Sequence, residues 1–140
     1  MPTRLFVTDL TLAVLPERRA SGYPYSVPAI RHLDRLPFPA PVTFFVGENG
    51  SGKSTLLEAI AAAFGLNPEG GTKHVRFSTR SSHSELFKHL KLTRTRPAPT
   101  DSYFLRAESF YNLATQIENP GNFAAYDAEA GGGRVPTLVI

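Results

Sequence analysis

The sequence predicts an α/β fold, and three observations support this prediction. Patterns typical of strands and of helices alternate along most of the chain. A continuous apolar run, VTFFV at residues 42–46, is typical of a strand that is buried on both faces in a parallel sheet. That run leads through the glycine-rich stretch GENGSGKST directly into a helical pattern, which is the strand–loop–helix order found in α/β folds.

The elements before the glycine-rich stretch are separated by prolines. Residues 5–14 alternate partly between apolar and polar types and predict a strand that Pro16 ends. Six prolines between positions 16 and 41 predict mostly loop, with one short turn of helix at residues 29–36. The predicted buried strand, residues 42–46, then begins after Pro41 and ends at Gly47.

The elements after the stretch begin with the clearest helix of the chain. Residues 51–64 place apolar side chains at helical spacing, and Gly65 is a natural stop. Residues 74–79 and 103–107 predict strands, and residues 84–92 predict a short helix. Ser109 is a suitable N-cap for a following helix. The segment from residue 119 to residue 140 is rich in Gly and Ala without a sustained period, and predicts irregular structure.

The bulk composition fits one globular domain. The 140 residues are 41% hydrophobic and 19% charged, which is enough apolar material for a single core. The absence of cysteine excludes a disulfide framework and a thiolate metal site. The longest apolar run, residues 56–66, contains Glu58 and is too short to span a bilayer. We therefore expect a cytoplasmic protein without a membrane span.

The charge of the chain is concentrated in one segment. The net charge is only +3, but residues 73–96 hold seven Lys or Arg residues against Glu85 alone. Such a cluster is typical of a solvated face, and a contact with phosphate or nucleic acid is the alternative. The histidines of this segment, His74, His83 and His89, have no pattern of metal ligands around them.

The stretch GENGSGKST satisfies the phosphate-loop pattern G-x-x-x-x-G-K-[ST]. Its glycines let successive backbone N–H groups turn inward, and the helix that follows adds the partial positive charge of its N-terminus. In this interpretation Lys53 reaches the β- and γ-phosphates of a nucleoside triphosphate, Ser54 binds Mg²⁺, and Thr55 lies near the α-phosphate. The predicted nucleotide-binding residues are Gly47, Glu48, Asn49, Gly50, Ser51, Gly52, Lys53, Ser54 and Thr55.

Several classes of nucleoside triphosphatase carry this loop. A GTPase of the common type would need the base-reading string N-K-x-D, which the sequence lacks. A nucleotide kinase would carry arginines in a lid, and the basic segment at residues 73–96 leaves that class open.

The stretch GENGSGKSTLLEAIA resembles the nucleotide-binding start of ABC-type ATPases, and more narrowly of the SMC-, RecF- and SbcC-like AAA family ATPases. The resemblance covers residues 1–118 and implies the N-terminal half of a P-loop nucleotide-binding domain that binds ATP and Mg²⁺. It also implies an aromatic side chain against adenine, for which Tyr23 and Tyr25 are the candidates. Packing within the proline-rich loop is the alternative for both tyrosines.

The family pattern places a polar residue, usually Gln, after a later strand, where it contacts Mg²⁺ and the attacking water. This sequence has Glu108 at the matching position, and that departure adds negative charge near the phosphates. Helix capping or an ion pair is the alternative role for Glu108. With Lys53, it is the residue to which the resemblance assigns a part in catalysis.

The sequence lacks the other parts that the family uses for hydrolysis. No apolar strand ending in Asp-Glu, no serine-led signature and no later switch histidine are present. We therefore expect an incomplete sheet, and a tail at residues 119–140 that is a frameshifted or prematurely terminated product. The predicted function is Mg²⁺-ATP binding, with hydrolysis in the full-length family. The alternatives are a nucleotide-binding fragment without turnover and a nucleic-acid-associated ATPase, and the resemblance implies a head-to-tail homodimer.

Overall fold

The computed structural model describes residues 5–67, 71–72, 85–106 and 137–140. Within these ranges no helix is long and apolar enough to cross a membrane. The strands are β1 (Val7–Leu12), β2 (Arg35–Pro37), β3 (Gly71–Thr72), β4 (Leu90–Arg94), β5 (Asp101–Phe104) and β6 (Thr137–Val139). The α-helices are α1 (Pro16–Arg19), α2 (Pro28–Arg31) and α3 (Lys53–Phe64), and a 3-10 helix spans Glu85–His89.

The first sheet is antiparallel, and β1 is its central strand. Its order is β2–β1–β4, with Leu10 opposite both Leu36 and Leu92. Because side chains alternate across a strand, Leu10 and Leu12 point to the same face, and both are buried. The strand predicted at residues 5–14 is thereby confirmed over Val7–Leu12.

Helix α3 packs against this sheet and supplies much of the core. Leu56, Ala59 and Ile60 join Leu10, Leu12 and other buried side chains in the larger of two hydrophobic clusters. The helix ends where Gly65 adopts a left-handed conformation and donates its N–H to the carbonyls of Ala61 and Ala62. The helix predicted at residues 51–64 is confirmed, and it begins two residues later than predicted.

The second sheet has the order β3–β5–β6. Strand β5 is antiparallel to β3 and parallel to β6, and the N–H of Ile140 donates to the carbonyl of Tyr103 at 2.9 Å. The composition of the tail does not predict β6. This strand depends on pairing with β5, which is distant in sequence, and local composition carries no signal for such pairing.

The prediction of a buried strand at residues 42–46 is wrong in this structure. The segment has no regular secondary structure, and Val42, Phe44 and Val46 are 65%, 84% and 93% exposed. An apolar, β-branched sequence favours a strand, but a strand forms only where a neighbour accepts its hydrogen bonds. None of the described strands pairs with residues 42–46.

The bounds of several other elements also differ from the prediction, and strand pairing explains two of these differences. The helix predicted at residues 29–36 is α2 followed by β2, and the helix predicted at residues 84–92 is the 3-10 helix followed by β4. In both cases pairing with β1 converts the end of the predicted helix into a strand. The strand predicted at residues 103–107 begins earlier, as β5. The strand predicted at residues 74–79 and the helix after Ser109 lie outside the described residues.

The described elements make up a mixed α/β structure, as predicted, with an incomplete arrangement of strands. Helix α3 lies between the two clusters, because its residues Ala61 and Phe64 belong to the smaller one. The glycine-rich stretch joins the exposed segment at residues 42–46 to the start of this helix. The loop is therefore anchored at one end by the best-packed helix of the described structure.

Candidate functional site

The glycine-rich loop at residues 47–52 is shaped by two left-handed glycines. Gly50 has a φ of 82° and Gly52 a φ of 99°, conformations that other residues rarely adopt. The N–H of Ser51 donates to the carbonyl of Glu48 at 3.2 Å, which closes a turn. The N–H of Leu56 then donates to the carbonyl of Gly52 at 2.9 Å, which is the first hydrogen bond of α3.

The start of α3 presents backbone N–H groups without acceptors in the helix. The first N–H groups of a helix have no acceptor within the helix, and they carry the positive end of the helix dipole. In α3 these are the amides of Lys53, Ser54 and Thr55, none of which donates in a described backbone hydrogen bond. A phosphate group fits such a set of donors.

Lys53 folds back across the loop. Its Nζ donates to the carbonyls of Gly47 and Glu48, both at 2.7 Å, and lies 3.4 Å from Ser51 Oγ. The ammonium group is therefore held at the centre of the loop by the loop's own oxygens. A side chain at position 47 would crowd this arrangement, since its Cβ would lie 3.0 Å from Ser51 Oγ.

A segment from the proline-rich region supports the loop from behind. The N–H of Ala29 donates to the carbonyl of Ser51 at 2.9 Å, and a Cβ at Gly52 would lie 2.8 Å from Val27 Cγ2. Sequence reasoning missed both Val27 and Ala29. Pro28 at the first position of α2 was the available signal for an ordered element here.

The two candidate tyrosines have different surroundings. Tyr23 is 66% exposed, and its hydroxyl lies 3.5 Å from Thr55 Oγ1, so its ring flanks the start of α3. Tyr25 is 4% exposed and belongs to the larger cluster, with its ring edge-on to that of His89 at a centroid distance of 6.1 Å. Tyr25 is therefore buried in this structure and Tyr23 is exposed, and the contact of either tyrosine with adenine stays a prediction.

The other predicted site residues are Glu48, Asn49 and Ser54, which lie at the loop, and Glu108. Glu48 and Asn49 are exposed in the loop, and Ser54 is exposed on the first turn of α3. In the described ranges, no group of three or more His, Asp or Glu side chains is arranged to hold a metal ion. A hydroxyl with phosphate oxygens and water suits Mg²⁺, which needs no cage of carboxylates. Glu108 lies outside the described residues.

Part of the basic segment at residues 73–96 is engaged with its own chain. Lys88 Nζ lies 2.7 Å from Glu85 Oε1. Arg94 Nη2 donates to the carbonyl of Ala63 at 2.6 Å, and its guanidinium lies 4.6 Å from the centre of the Phe64 ring. These two side chains stabilise local structure, and the proposed contact with nucleic acid stays a prediction.

Comparison with known proteins identifies the family of the chain. A family model described as an AAA domain matches residues 26–107, which is more than half of the chain. The matched region includes the loop, helix α3 and the supporting segment behind the loop. No curated protein and no solved structure gave a match.

Proposed function

The chain belongs to the AAA domain family, a family of P-loop ATPase domains, and on that premise we propose that residues 47–55 bind the triphosphate of ATP with Mg²⁺. The position of Lys53 is the observation that carries this proposal. Its ammonium group is held 2.7 Å from the carbonyls of Gly47 and Glu48, in the loop that leads into α3. One short segment thus carries both a positive charge and backbone donors, which are the groups that bind a polyphosphate.

The residues of the loop have separate tasks in this proposal. The amides at the start of α3 bind phosphate oxygens, and Lys53 exchanges its loop carbonyls for the β- and γ-phosphates. Ser54 would hold Mg²⁺ through its hydroxyl, and the ion would offset negative charge on the phosphates. Thr55 lies beside the α-phosphate, and Tyr23, exposed next to Thr55, stacks on the base.

We assign the chain to the SMC-, RecF- and SbcC-like ABC-type group on the resemblance of residues 47–61. Hydrolysis in that group requires an acid and a polar residue near the attacking water, and Glu108 is the candidate for the second role. Nucleotide binding without turnover is the alternative function. Its support is the lack of an Asp-Glu pair in the sequence.

A binding titration tests the proposal. Titration calorimetry with ATP, with and without Mg²⁺, should show saturable binding by the wild-type chain. Lys53→Ala should weaken ATP binding at least tenfold, since charge-assisted hydrogen bonds contribute about 1.5–3 kcal/mol each. Lys91→Ala is the matched control, because Lys91 is an exposed lysine on β4. Equal affinity of the Lys53→Ala and wild-type proteins would rule out the loop as the site.

A second titration tests the role of Tyr23. Tyr23→Ala should weaken ATP binding between about fivefold and a hundredfold, the range expected for loss of one base–aromatic stack. It should leave the binding of tripolyphosphate unchanged, because that ligand has no base. Tyr23→Phe keeps the ring and should bind ATP like the wild type. An equal loss for both ligands would mean that Tyr23 supports the loop and does not contact the base.

Phosphate release separates the two functions. Turnover by the wild type well above that of Lys53→Ala would support hydrolysis, and Glu108→Ala should then reduce the rate without loss of ATP binding. Wild-type turnover no higher than that of Lys53→Ala, together with tight ATP binding, would support the fragment without turnover.

A further inference from the structure

Asn49 and Gly50 lie side by side in the middle of the glycine-rich loop. They are the central residues of the turn in which the N–H of Ser51 donates to the carbonyl of Glu48 at 3.2 Å. Both are exposed, and Gly50 has a φ of 82°, which glycine adopts without strain. Asn49 is therefore open to water and directly precedes a residue that has no side chain.

The surroundings of this pair leave its reactive atoms accessible. A Cβ at Gly50 would have no described atom within 4 Å. In the part of the chain that the structure describes, no hydrogen bond uses the Gly50 N–H or the Asn49 side chain. The backbone nitrogen of Gly50 and the side-chain amide of Asn49 are thus both available to react with each other.

The sequence distinguishes Asn49 from the other asparagines. An asparagine side chain can react with the backbone nitrogen of the next residue, and a side chain on that residue obstructs the approach. The chain has five asparagines, and Asn49 alone precedes glycine. Asn67 and Asn119 precede proline, whose nitrogen carries no hydrogen, and Asn112 and Asn122 precede Leu and Phe.

We propose that Asn49 is a site of spontaneous deamidation. The Gly50 nitrogen attacks the side-chain carbonyl carbon of Asn49, and the side-chain nitrogen leaves as ammonia with the proton that the Gly50 nitrogen loses. Water then cleaves one of the two bonds that join this nitrogen to carbonyl carbons in the resulting succinimide. Cleavage at the side-chain carbonyl gives aspartate, and cleavage at the main-chain carbonyl gives isoaspartate. The net reaction consumes water, releases ammonia and needs no oxidant.

Either product should weaken nucleotide binding, a consequence that rests on the proposed function. A carboxylate at position 49 repels the phosphates. It also competes with them for the ammonium group of Lys53, which lies 2.7 Å from the carbonyl of the adjacent Glu48. Isoaspartate in addition lengthens the main chain by one carbon, because the backbone then runs through the former side chain. The turn from Glu48 to Ser51 cannot keep its spacing with this extra atom.

Bound nucleotide should in turn protect Asn49. In the proposed complex the loop surrounds the phosphates, and its backbone N–H groups face phosphate oxygens. An N–H that donates to an anion loses its proton less readily, and the attack on Asn49 requires that loss. Chains without nucleotide should therefore deamidate faster than chains that hold it.

Peptide mapping by mass spectrometry tests the modification on the wild type itself. The full chain is incubated without nucleotide at neutral and at mildly alkaline pH. The peptide with Asn49 should gain the mass of an NH₂-to-OH exchange, faster at the higher pH, while the peptides with Asn67 and Asn112 stay unchanged. A protein isoaspartyl methyltransferase should methylate the incubated chain and not the fresh one.

Two variants locate the reaction. Asn49→Ser has no side-chain amide to lose, so its incubated chain should accept no methyl groups. Asn67→Ser is the matched control, because it removes an asparagine that precedes proline, and it should accept methyl groups like the wild type. ATP added during incubation should slow the mass change at Asn49 in the wild type and not in Lys53→Ala.

Titration calorimetry tests the effect on the loop. Incubated wild type should lose ATP-binding sites in proportion to the modified fraction, whereas Asn49→Ser should bind ATP equally before and after incubation. Asn49→Asp reproduces one product and should bind ATP about tenfold more weakly than fresh wild type, or more weakly still, because of like-charge repulsion.

Two results would overturn the modification site: an Asn49 peptide whose mass does not change, and methylation of incubated Asn49→Ser as strong as that of incubated wild type. Full ATP binding by a modified chain, where the fresh chain also binds ATP, would refute the effect on the loop. A fresh wild type that does not bind ATP would refute the proposed function alone, because the mass change is measured without nucleotide.

Discussion

Two glycines at the ends of α3 have nearly the same backbone conformation but different surroundings. Gly52 and Gly65 both have a φ of 99°. That region costs other residues about 1–2 kcal/mol. A Cβ at position 52 would lie 2.8 Å from Val27 Cγ2, whereas at position 65 no described atom lies within 4 Å. The two positions therefore share the conformational cost, and only position 52 adds a steric one.

We predict that Gly52→Ala destabilises the chain more than Gly65→Ala does. The excess should be about 1–3 kcal/mol, the usual cost of overpacking, and urea unfolding measures it. Adding Val27→Ala to Gly52→Ala should remove most of the excess. Equal destabilisation by Gly52→Ala and Gly65→Ala would show that Val27 does not confine the loop.

Sequence could predict a site residue where its contacts are local in sequence, and could not where its contacts are with distant residues. The roles assigned to residues 47–55 rest on local features, namely glycines, a lysine and the start of a helix, and they stay predictions. Burial of Tyr25 depends on His89 and other distant residues, which no local pattern shows. The same is true of Val27 and Ala29, whose contact with the loop is tertiary.

At the scale of elements, Arg94 joins strand β4 to the end of helix α3. Its Nη2 donates to the carbonyl of Ala63, one of the last carbonyls of the helix, and its guanidinium lies over the Phe64 ring. A cation at this end also interacts favourably with the helix dipole. At least one basic residue of β4, Arg94, therefore has a structural role.

We predict that Arg94→Ala lowers the free energy of unfolding by about 1–2 kcal/mol, through loss of the hydrogen bond and of the ring contact. Arg94→Lys should lose less, since it keeps the charge. Chemical denaturation measures both. Lys91→Ala, on the exposed side of the same strand, should stay within about 0.5 kcal/mol of the wild type. A loss for Lys91→Ala as large as that for Arg94→Ala would mean that charge on β4, and not the contact with α3, is responsible.

Strands β1 and β2 are joined by a pH-sensitive ion pair. Arg35 Nε donates to Asp9 Oδ1 at 3.1 Å, and this hydrogen bond holds the pKa of Asp9 below its ordinary value of 3.8. A pKa that is lower in the folded than in the unfolded chain contributes stability above the unfolded value. That contribution is lost as the pH falls through the folded pKa.

We predict that the stability of the wild type decreases below about pH 4, with Asp9 as one contributor. Asp9→Asn should be less stable than the wild type at pH 7, and its stability should depend less on pH between about 4 and 2. Arg35→Gln should reduce the same dependence by removing the partner. Unfolding midpoints at several pH values test this, and parallel pH profiles for wild type and Asp9→Asn would contradict it.

The elements also differ in how far sequence could predict them. Helix α3 could be predicted because its hydrogen bonds are internal and Gly65 ends it locally. Strand β6 could not be predicted, because it forms by pairing with the distant strand β5. The absence of a strand at residues 42–46 could not be predicted either, because it depends on whether a partner strand is present. An apolar sequence shows that a segment can form a strand, and only the rest of the chain shows whether a neighbour is present.

At the scale of the whole molecule, Ile140 connects the two hydrophobic clusters. It is partly buried and packs against both of them. Its N–H and C=O form hydrogen bonds with Tyr103 and Leu105, which fix its position beside β5. Ile140 therefore contributes to the core, although the composition of the tail predicts irregular structure.

We predict that Ile140→Ala lowers the free energy of unfolding by about 1–2 kcal/mol, less than for a fully buried isoleucine because the side chain is only partly covered. Deletion of residues 137–140 should cost more, since β5 then also loses its parallel partner. Urea unfolding followed by circular dichroism measures both changes. Leu105→Ala is the control, because Leu105 is 48% exposed and should cost less than Ile140→Ala. Unfolding midpoints of the deletion that match the wild type would show that neither cluster depends on residues 137–140.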